Sequence, residues 1–321
     1  METDSNQNKN IMPGSRAEET GRKKALILLN TSAGTGRAGL NSLTIIRRFA
    51  EKGYEPVVFP IVPGTDLISE KILEEYEGKI DVVLCSGGDG TLNHVIQSVM
   101  RMTQKPRIAY IPAGSTNDFA KALGIPTEFE RALDVAVEGN VFRYDVGQLN
   151  DVYFNYVAAF GAFTAISYAT DQQLKNILGH AAYIINAVSL LYENMSYSRR
   201  LRIETDKFVL EDDYIFGTVC NSSYVAGFSV FKDMGVTLDD GEMELFLIKT
   251  PVTAVDLQGI ITAIQKGSLD HPFLTFKHVS SVKITSDEPV DWAVDGEFGG
   301  SYKESLIRVN HKAVSIMRRD A

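Results

Sequence analysis

An apolar run, Ile80 to Leu84, passes directly into Cys85-Ser86-Gly87-Gly88-Asp89-Gly90-Thr91-Leu92-Asn93-His94. Few structures suit such a segment. The run predicts a buried strand, the glycines a loop almost free of side chains, and Thr91 onward a helix. Backbone N–H groups at a helix N-terminus are unpaired and the helix dipole favours negative charge, so the junction can bind an anion. Asp89 would repel a phosphate there unless a cation lies between them. That combination points to phosphate with a divalent metal, Mg²⁺. A tight turn in which Asp89 caps the helix accounts for the same residues.

A second junction has the same design. Ile108-Ala109-Tyr110-Ile111 runs into Pro112-Ala113-Gly114-Ser115-Thr116-Asn117-Asp118-Phe119. If the two strands are parallel neighbours, both loops lie at one sheet edge, where α/β proteins bind ligands. Strand and helix patterns alternate from Ala25 to Glu138: strands at 25–29, 57–62, 80–84 and 108–111, helices around 40–49, 67–76 and 127–138. This predicts an α/β fold with a doubly wound parallel sheet in the N-terminal domain. After Asp145 the texture becomes short β-like runs at 153–160, 200–204, 208–210, 214–219, 243–248, 274–276 and 282–284, with Asp240-Gly241 and Asp295-Gly296 as turns. Helices are expected at 171–196 and 253–267, the latter opening on a Thr253…Asp256 capping box. The expected division is a flexible extension over 1–22, an α/β domain over 23–144, and a second, β-sandwich-like domain over 145–304.

Together, Gly87-Gly88-Asp89-Gly90-Thr91-Leu92-Asn93 and Pro112-Ala113-Gly114-Ser115-Thr116-Asn117-Asp118-Phe119 resemble the diacylglycerol kinase catalytic domain, and the chain resembles the soluble bacterial lipid kinases from about Lys24 to about Met317. The resemblance implies an ATP- and Mg²⁺-dependent kinase acting on diacylglycerol or a similar lipid alcohol. It implies that Asn30, Thr31, Ser32, Ala33 and Gly34 lie near ATP. Gly87, Gly88, Gly90, Thr91, Leu92, Asn93, Ser115 and Asn117 would line the nucleotide site. Asp89 would orient the metal or its phosphates, Asp118 would sit at the metal or the acceptor hydroxyl, and Asp145 would join them in a metal–water network. Glu297 would be the proton acceptor. Thr237, Asp240 and the carbonyl of Glu242 would hold a second, structural Mg²⁺. The first domain would bind the nucleotide and the second the acceptor, and the last strands, about 305–321, would return to the first domain. From sequence alone Asp145 reads equally well as a salt-bridged hinge residue, Asn117-Asp118 as a capping pair, and residues 237–242 as an acidic turn. Three positions depart from the family: Thr31 replaces a usual proline, Thr35 a lysine found in some members, and His94 a common glutamate. Arg37 is the nearby cation that could stand in for that lysine, and His94 reads as a structural or peripheral group.

Gly34-x-Gly36-x-x-Gly39 formally matches a dinucleotide fingerprint. No acid follows the second strand until Asp66, so the ribose partner that fingerprint needs is missing. An NAD kinase-like metabolite kinase shares Gly-Gly-Asp-Gly and is the first rival; a non-catalytic nucleotide- or lipid-binding relative is the second. The net charge of −9 and the isoelectric point of about 5.2 argue against nucleic acid as a partner. Cys85 and Cys220 lie in apolar runs and read as buried free thiols of a reducing, cytoplasmic compartment. No apolar stretch reaches the ~18 residues of a membrane span. The protein must nevertheless meet a bilayer transiently to find a lipid, with Arg199, Arg200 and Arg202 beside Tyr197 as a candidate patch. A homodimer is one option for its assembly.

Overall fold

The computed structural model describes residues 21–31, 41–114, 117–161, 197–221 and 236–319, with the side chains of Asp118 and Gln265 excepted. The parallel part consists of β1 (Lys23–Asn30), β2 (Tyr54–Ile61), β3 (Val82–Gly87) and β4 (Arg107–Pro112), in the order β2-β1-β3-β4. Successive residues of a strand point to opposite faces, and β1 shows why this sheet needs helices on both. Ala25, Ile27 and Leu29 pack with α1 (Ser42–Glu51) and α5 (Phe129–Glu138). Leu26 and Leu28 pack with α2 (Ser69–Glu75), α3 (Asp89–Arg101) and α4 (Asp118–Ala122). The order in which successive strands are added reverses between β1 and β3. That is a topological switch point, and ligands of such sheets bind outside the strand ends there.

The antiparallel part contains β5 (Asn140–Leu149), β6 (Val152–Phe154), β7 (Val157–Gly161), β8 (Arg199–Glu204), β9 (Val209–Cys220), β10 (Met243–Lys249), α6 (Ala254–Gln265), β11 (Leu274–Val279), β12 (Ser281–Val294) and β13 (Glu297–Arg318). Thirteen strands form one hydrogen-bonded sheet among the described residues. β13 links its two parts: it pairs with β12 and β5 antiparallel, and with β4 parallel at Ile316 and Ile108. Residue 144, the expected end of the first domain, falls inside β5.

Departures from the expected elements have physical causes. The run 153–160 is two strands because the N–H groups of Asn155, Tyr156 and Val157 turn to the Asp295 carboxylate. The runs 208–210 and 214–219 join into β9, since the intervening acids Glu211, Asp212 and Asp213 face Arg202, Leu201 and Arg200 of β8. Opposite charges across a ladder support pairing that composition alone disfavours. β12 continues past the expected 282–284 through a register shift that absorbs Pro289, a residue unable to donate to the ladder. Helix α6 carries the predicted capping box between Thr253 and Asp256. The expected helix 171–196 lies outside the described residues.

Candidate active site

Helix α3 begins at Asp89 with Gly88 as its N-cap, so no side chain caps it. Gly114 lies against Gly88. A Cβ on Gly114 would come within 2.7 Å of the Gly88 Cα and 2.9 Å of the Asn117 Oδ1. Only two bare backbones fit this approach. Between them Ala113 N donates to the Gly87 carbonyl at 2.8 Å, and Gly87 leaves no room for a side chain beneath Thr91. Asn117 holds the second loop shut. Its backbone is left-handed, with φ of 49°, a region asparagine tolerates better than most residues. Its Oδ1 accepts from Gly114 N at 2.9 Å and its Nδ2 donates to the Gly114 carbonyl at 2.8 Å. Asn117 therefore shapes the loop through its own side chain.

The end of β1 joins the same place. Asn30 Nδ2 donates to Thr91 Oγ1 at 2.6 Å, and Thr31 donates to the carbonyl of Ile61 at 3.1 Å. Three strand ends thus converge at the switch point. Asp89 is half-buried, and its Oδ1 lies 3.4 Å from the Phe119 N–H, which links the two helix starts. Its charge, added to burial, pushes the Cys85 thiol and the Tyr110 hydroxyl beneath it upward in pKa. Both cysteines are buried free thiols. Leu92 is fully buried in the core, so its side chain supports the helix from below. Asn93 is buried, and its Oδ1 has no hydrogen-bond partner among the described residues. Ser32, Ala33, Gly34, Arg37 and Ser115, like the Asp118 side chain, lie outside the described residues.

Glu297 reaches this region from the far end of the chain. Val294 pairs with Glu297, which leaves Asp295-Gly296 as a two-residue turn. Both have positive φ, 48° and 90°, as a type I′ hairpin demands. The Asp295 carboxylate accepts from Asn155, Tyr156 and Val157 N–H groups at 2.7, 2.9 and 2.8 Å. Burial lifts its pKa to about 6 against the opposing pull of these three amides. The hairpin is thereby fixed, and Glu297 lies 3.6 Å from His94 Nε2 on α3. His94 Nδ1 lies 2.6 Å from Glu70 on α2. The hydrogen bond to Glu70 raises the His94 pKa and lowers that of Glu70. Sequence reading missed the roles of Asp295 and Glu70: nothing local ties Glu70 to His94, and an Asp-Gly turn explains Asp295 without its amides.

Asp145 occupies a different node. It is fully buried. Its Oδ1 accepts from Lys312 N at 2.6 Å and contacts His311 Nδ1 at 3.0 Å, and its Oδ2 accepts from Gly241 N at 2.6 Å. The loop it grips holds three predicted metal residues. Thr237 Oγ1 bonds the Asp240 carboxylate, whose other oxygen accepts from Glu242 N at 3.0 Å, while Glu242 pairs with Lys207 at 2.7 Å. Among the described residues no three His, Cys, Asp or Glu side chains gather as a metal-holding group. The arginine patch is neutralised: Arg199 meets Glu288, Arg200 meets Glu211 and Asp213, and Arg202 meets Glu204 and Glu211.

Residues 24–149 match the family model of the diacylglycerol kinase catalytic domain. A diacylglycerol kinase of Staphylococcus saprophyticus is 31% identical over 289 residues, 90% of this chain and 93% of the relative. The chain belongs to the diacylglycerol kinase family. It is therefore a kinase with an alcohol acceptor. A diacylglycerol kinase of Staphylococcus carnosus is 30% identical over 90% of this chain and 93% of its own. A crystal structure of a diacylglycerol kinase from Bacillus anthracis str. Sterne shares the fold, with a TM-score of 0.74 at 22% identity over 94% of this chain and 99% of that one. Another from the same organism reaches 0.77 at 23% identity, with the same coverage. The matched family segment contains both glycine junctions and Asp145; Glu297 lies beyond it. No described helix is long and apolar enough to cross a membrane.

Proposed function

We propose that the protein is an ATP-dependent lipid kinase that transfers the γ-phosphoryl group to the hydroxyl of diacylglycerol or a similar lipid alcohol. The observation that carries this is the meeting of Glu297 with α3, the helix whose glycine-built N-terminus faces the switch point. The abutting backbones of Gly88 and Gly114 form a cradle suited to phosphates, because unpaired helix N–H groups and the dipole both favour negative charge. Asp89 is the described carboxylate at that cradle. Mg²⁺ held with nucleotide phosphates needs only one or two protein carboxylates, so Asp89, with Asp118 at the first position of the second junction's helix, fits the role. When bound, Mg²⁺ supplies charge neutralisation to the transferring group.

Glu297 is the base. As the acceptor oxygen bonds to phosphorus and the bond to the ADP oxygen breaks, the hydroxyl proton passes to the Glu297 carboxylate. Such help is worth ~10²–10⁴-fold in rate, about 3–5.5 kcal/mol of barrier. Phe298, 62% exposed beside Glu297, gives the hairpin an apolar flank suited to a lipid acceptor. The acceptor lies in a bilayer, so the enzyme must touch a membrane surface.

Labelled ATP offered with diacylglycerol in mixed micelles tests the reading. Wild type forms phosphatidate, Glu297→Gln loses ~10²–10⁴ in kcat at unchanged melting temperature, and Asp89→Ala is inactive. Stoichiometric NADP formation from NAD, with no lipid product, overturns the assignment.

A further inference from the structure

The structure sets His94 between two carboxylates. Nδ1 lies 2.6 Å from Glu70 and Nε2 lies 3.6 Å from Glu297. A carboxylate only accepts hydrogen bonds, and a neutral imidazole carries only one N–H. The ring form that serves both neighbours is the imidazolium. We propose that His94 is a positioning residue for the catalytic base: as an imidazolium anchored by Glu70, it holds Glu297 aimed at the acceptor hydroxyl. This inference rests on the role of Glu297 proposed above.

Three further features agree with it. Glu70 and His94 lie on packed helices, α2 and α3, so the anchor is rigid. Glu297 sits on a hairpin fixed independently by Asp295, so a small displacement of α3 relative to it would change the aim of the base. Both carboxylates favour the charged ring, and its pKa lies above the ordinary 6.5 because the Glu70 bond outweighs partial burial. Helix α3 also packs on β3, β6 and β13, whose titratable groups near it include the buried Cys85, Tyr153 and Glu297. Of the groups across from the ring, Glu70 and Glu297 set its charge, while Arg101 on its own helix acts on Glu70.

A group whose folded pKa is raised keeps its charged interactions at low pH and loses them as pH rises through that pKa. The positioning effect should therefore fade on the alkaline side, above pH 6.5. The test is the pH profile of kcat for diacylglycerol phosphorylation in wild type, His94→Gln, Glu70→Gln and Glu297→Gln, alongside NMR titration of the His94 ring protons. Wild type should show an alkaline decline that follows the ring titration. His94→Gln should lose that decline and ~10-fold or more of kcat, with KM for ATP within about 3-fold, since the base and not the nucleotide cradle is disturbed. Glu70→Gln should move both the decline and the ring titration to lower pH; Glu297→Gln should lower the ring titration. If Glu297→Gln is inactive while His94→Gln keeps wild-type kcat and its alkaline decline, this inference falls and the base stands. If Glu297→Gln retains full kcat, the base assignment falls and takes the inference with it.

Discussion

Gly114→Ala and Gly90→Ala separate two properties of the nucleotide cradle that are otherwise hard to pull apart. A Cβ on Gly114 would approach the Gly88 Cα to 2.7 Å, against an ordinary carbon contact of about 3.5–4.0 Å. The obstacle is backbone, so the loops must part by most of an ångström. Overpacking of this kind costs about 1–3 kcal/mol. For a chain of this length that lowers Tm by about 2–10 °C. The separation should also take one or two backbone N–H groups out of reach of a phosphate. At about 1.5–3 kcal/mol for each charge-assisted bond, ATP affinity should fall by at least ~10-fold. Gly90 is the contrast. It is exposed in the first turn of α3, and a Cβ there meets nothing within 4 Å. Alanine should leave stability unchanged or raise it by up to about 1 kcal/mol through helix propensity. It should still weaken ATP, because its methyl group occupies the approach to the helix N-terminus. Scanning calorimetry and isothermal titration with Mg·ATP read both quantities. Opposite signs in Tm with a shared loss of affinity support the cradle. If Gly90→Ala binds ATP as tightly as wild type, the phosphates do not lie over α3. If Gly114→Ala keeps both Tm and affinity, contact between the loops does not build the site.

Two further outcomes test the supports around the site. The Asp295 carboxyl has a folded pKa of about 6 against an ordinary 3.8, so the folded state binds more protons than the unfolded one between about pH 4 and 6. Stability then falls as pH rises through that window, by on the order of 3 kcal/mol; denaturant melts should show this slope in wild type and not in Asp295→Asn. Asp145→Asn places an amide donor against either the Gly241 or the Lys312 N–H group, which bond different oxygens of the carboxylate. It should cost about 1–3 kcal/mol, seen as a lower urea midpoint, with the hydrogen-exchange protection of one of these two amides lost first.

What sequence revealed and what it concealed divide by the range of the interactions. The two glycine junctions were legible because each is contiguous: the strand, the bare loop and the helix start lie within a dozen residues. Their mutual contact also followed, since parallel neighbours must place both loops at one edge. The second junction's closure was half legible. Asn117 was marked as chemically significant, but its left-handed backbone and its two bonds to Gly114 depend on a fold-back that no periodicity records. The β-rich half was read in fragments for a related reason. Glu211, Asp212 and Asp213 look like a solvated break until β8 supplies Arg200 and Arg202 opposite them.

The least legible arrangement is the one on which the proposed chemistry depends. Glu70, His94, Asp295 and Glu297 are dispersed over most of the chain, and each has an adequate local explanation. Their relation arises from topology. α2 and α3 pack as neighbours, while β13 brings the hairpin back across the sheet to meet α3. A histidine at position 94 would be an isolated oddity without Glu70. With Glu70 at 2.6 Å its pKa is raised, and its other nitrogen lies 3.6 Å from Glu297. The histidine at 94 and the acid at 70 thus make physical sense as a pair: without Glu70 the ring is less readily protonated, and without His94 nothing joins Glu70 to Glu297.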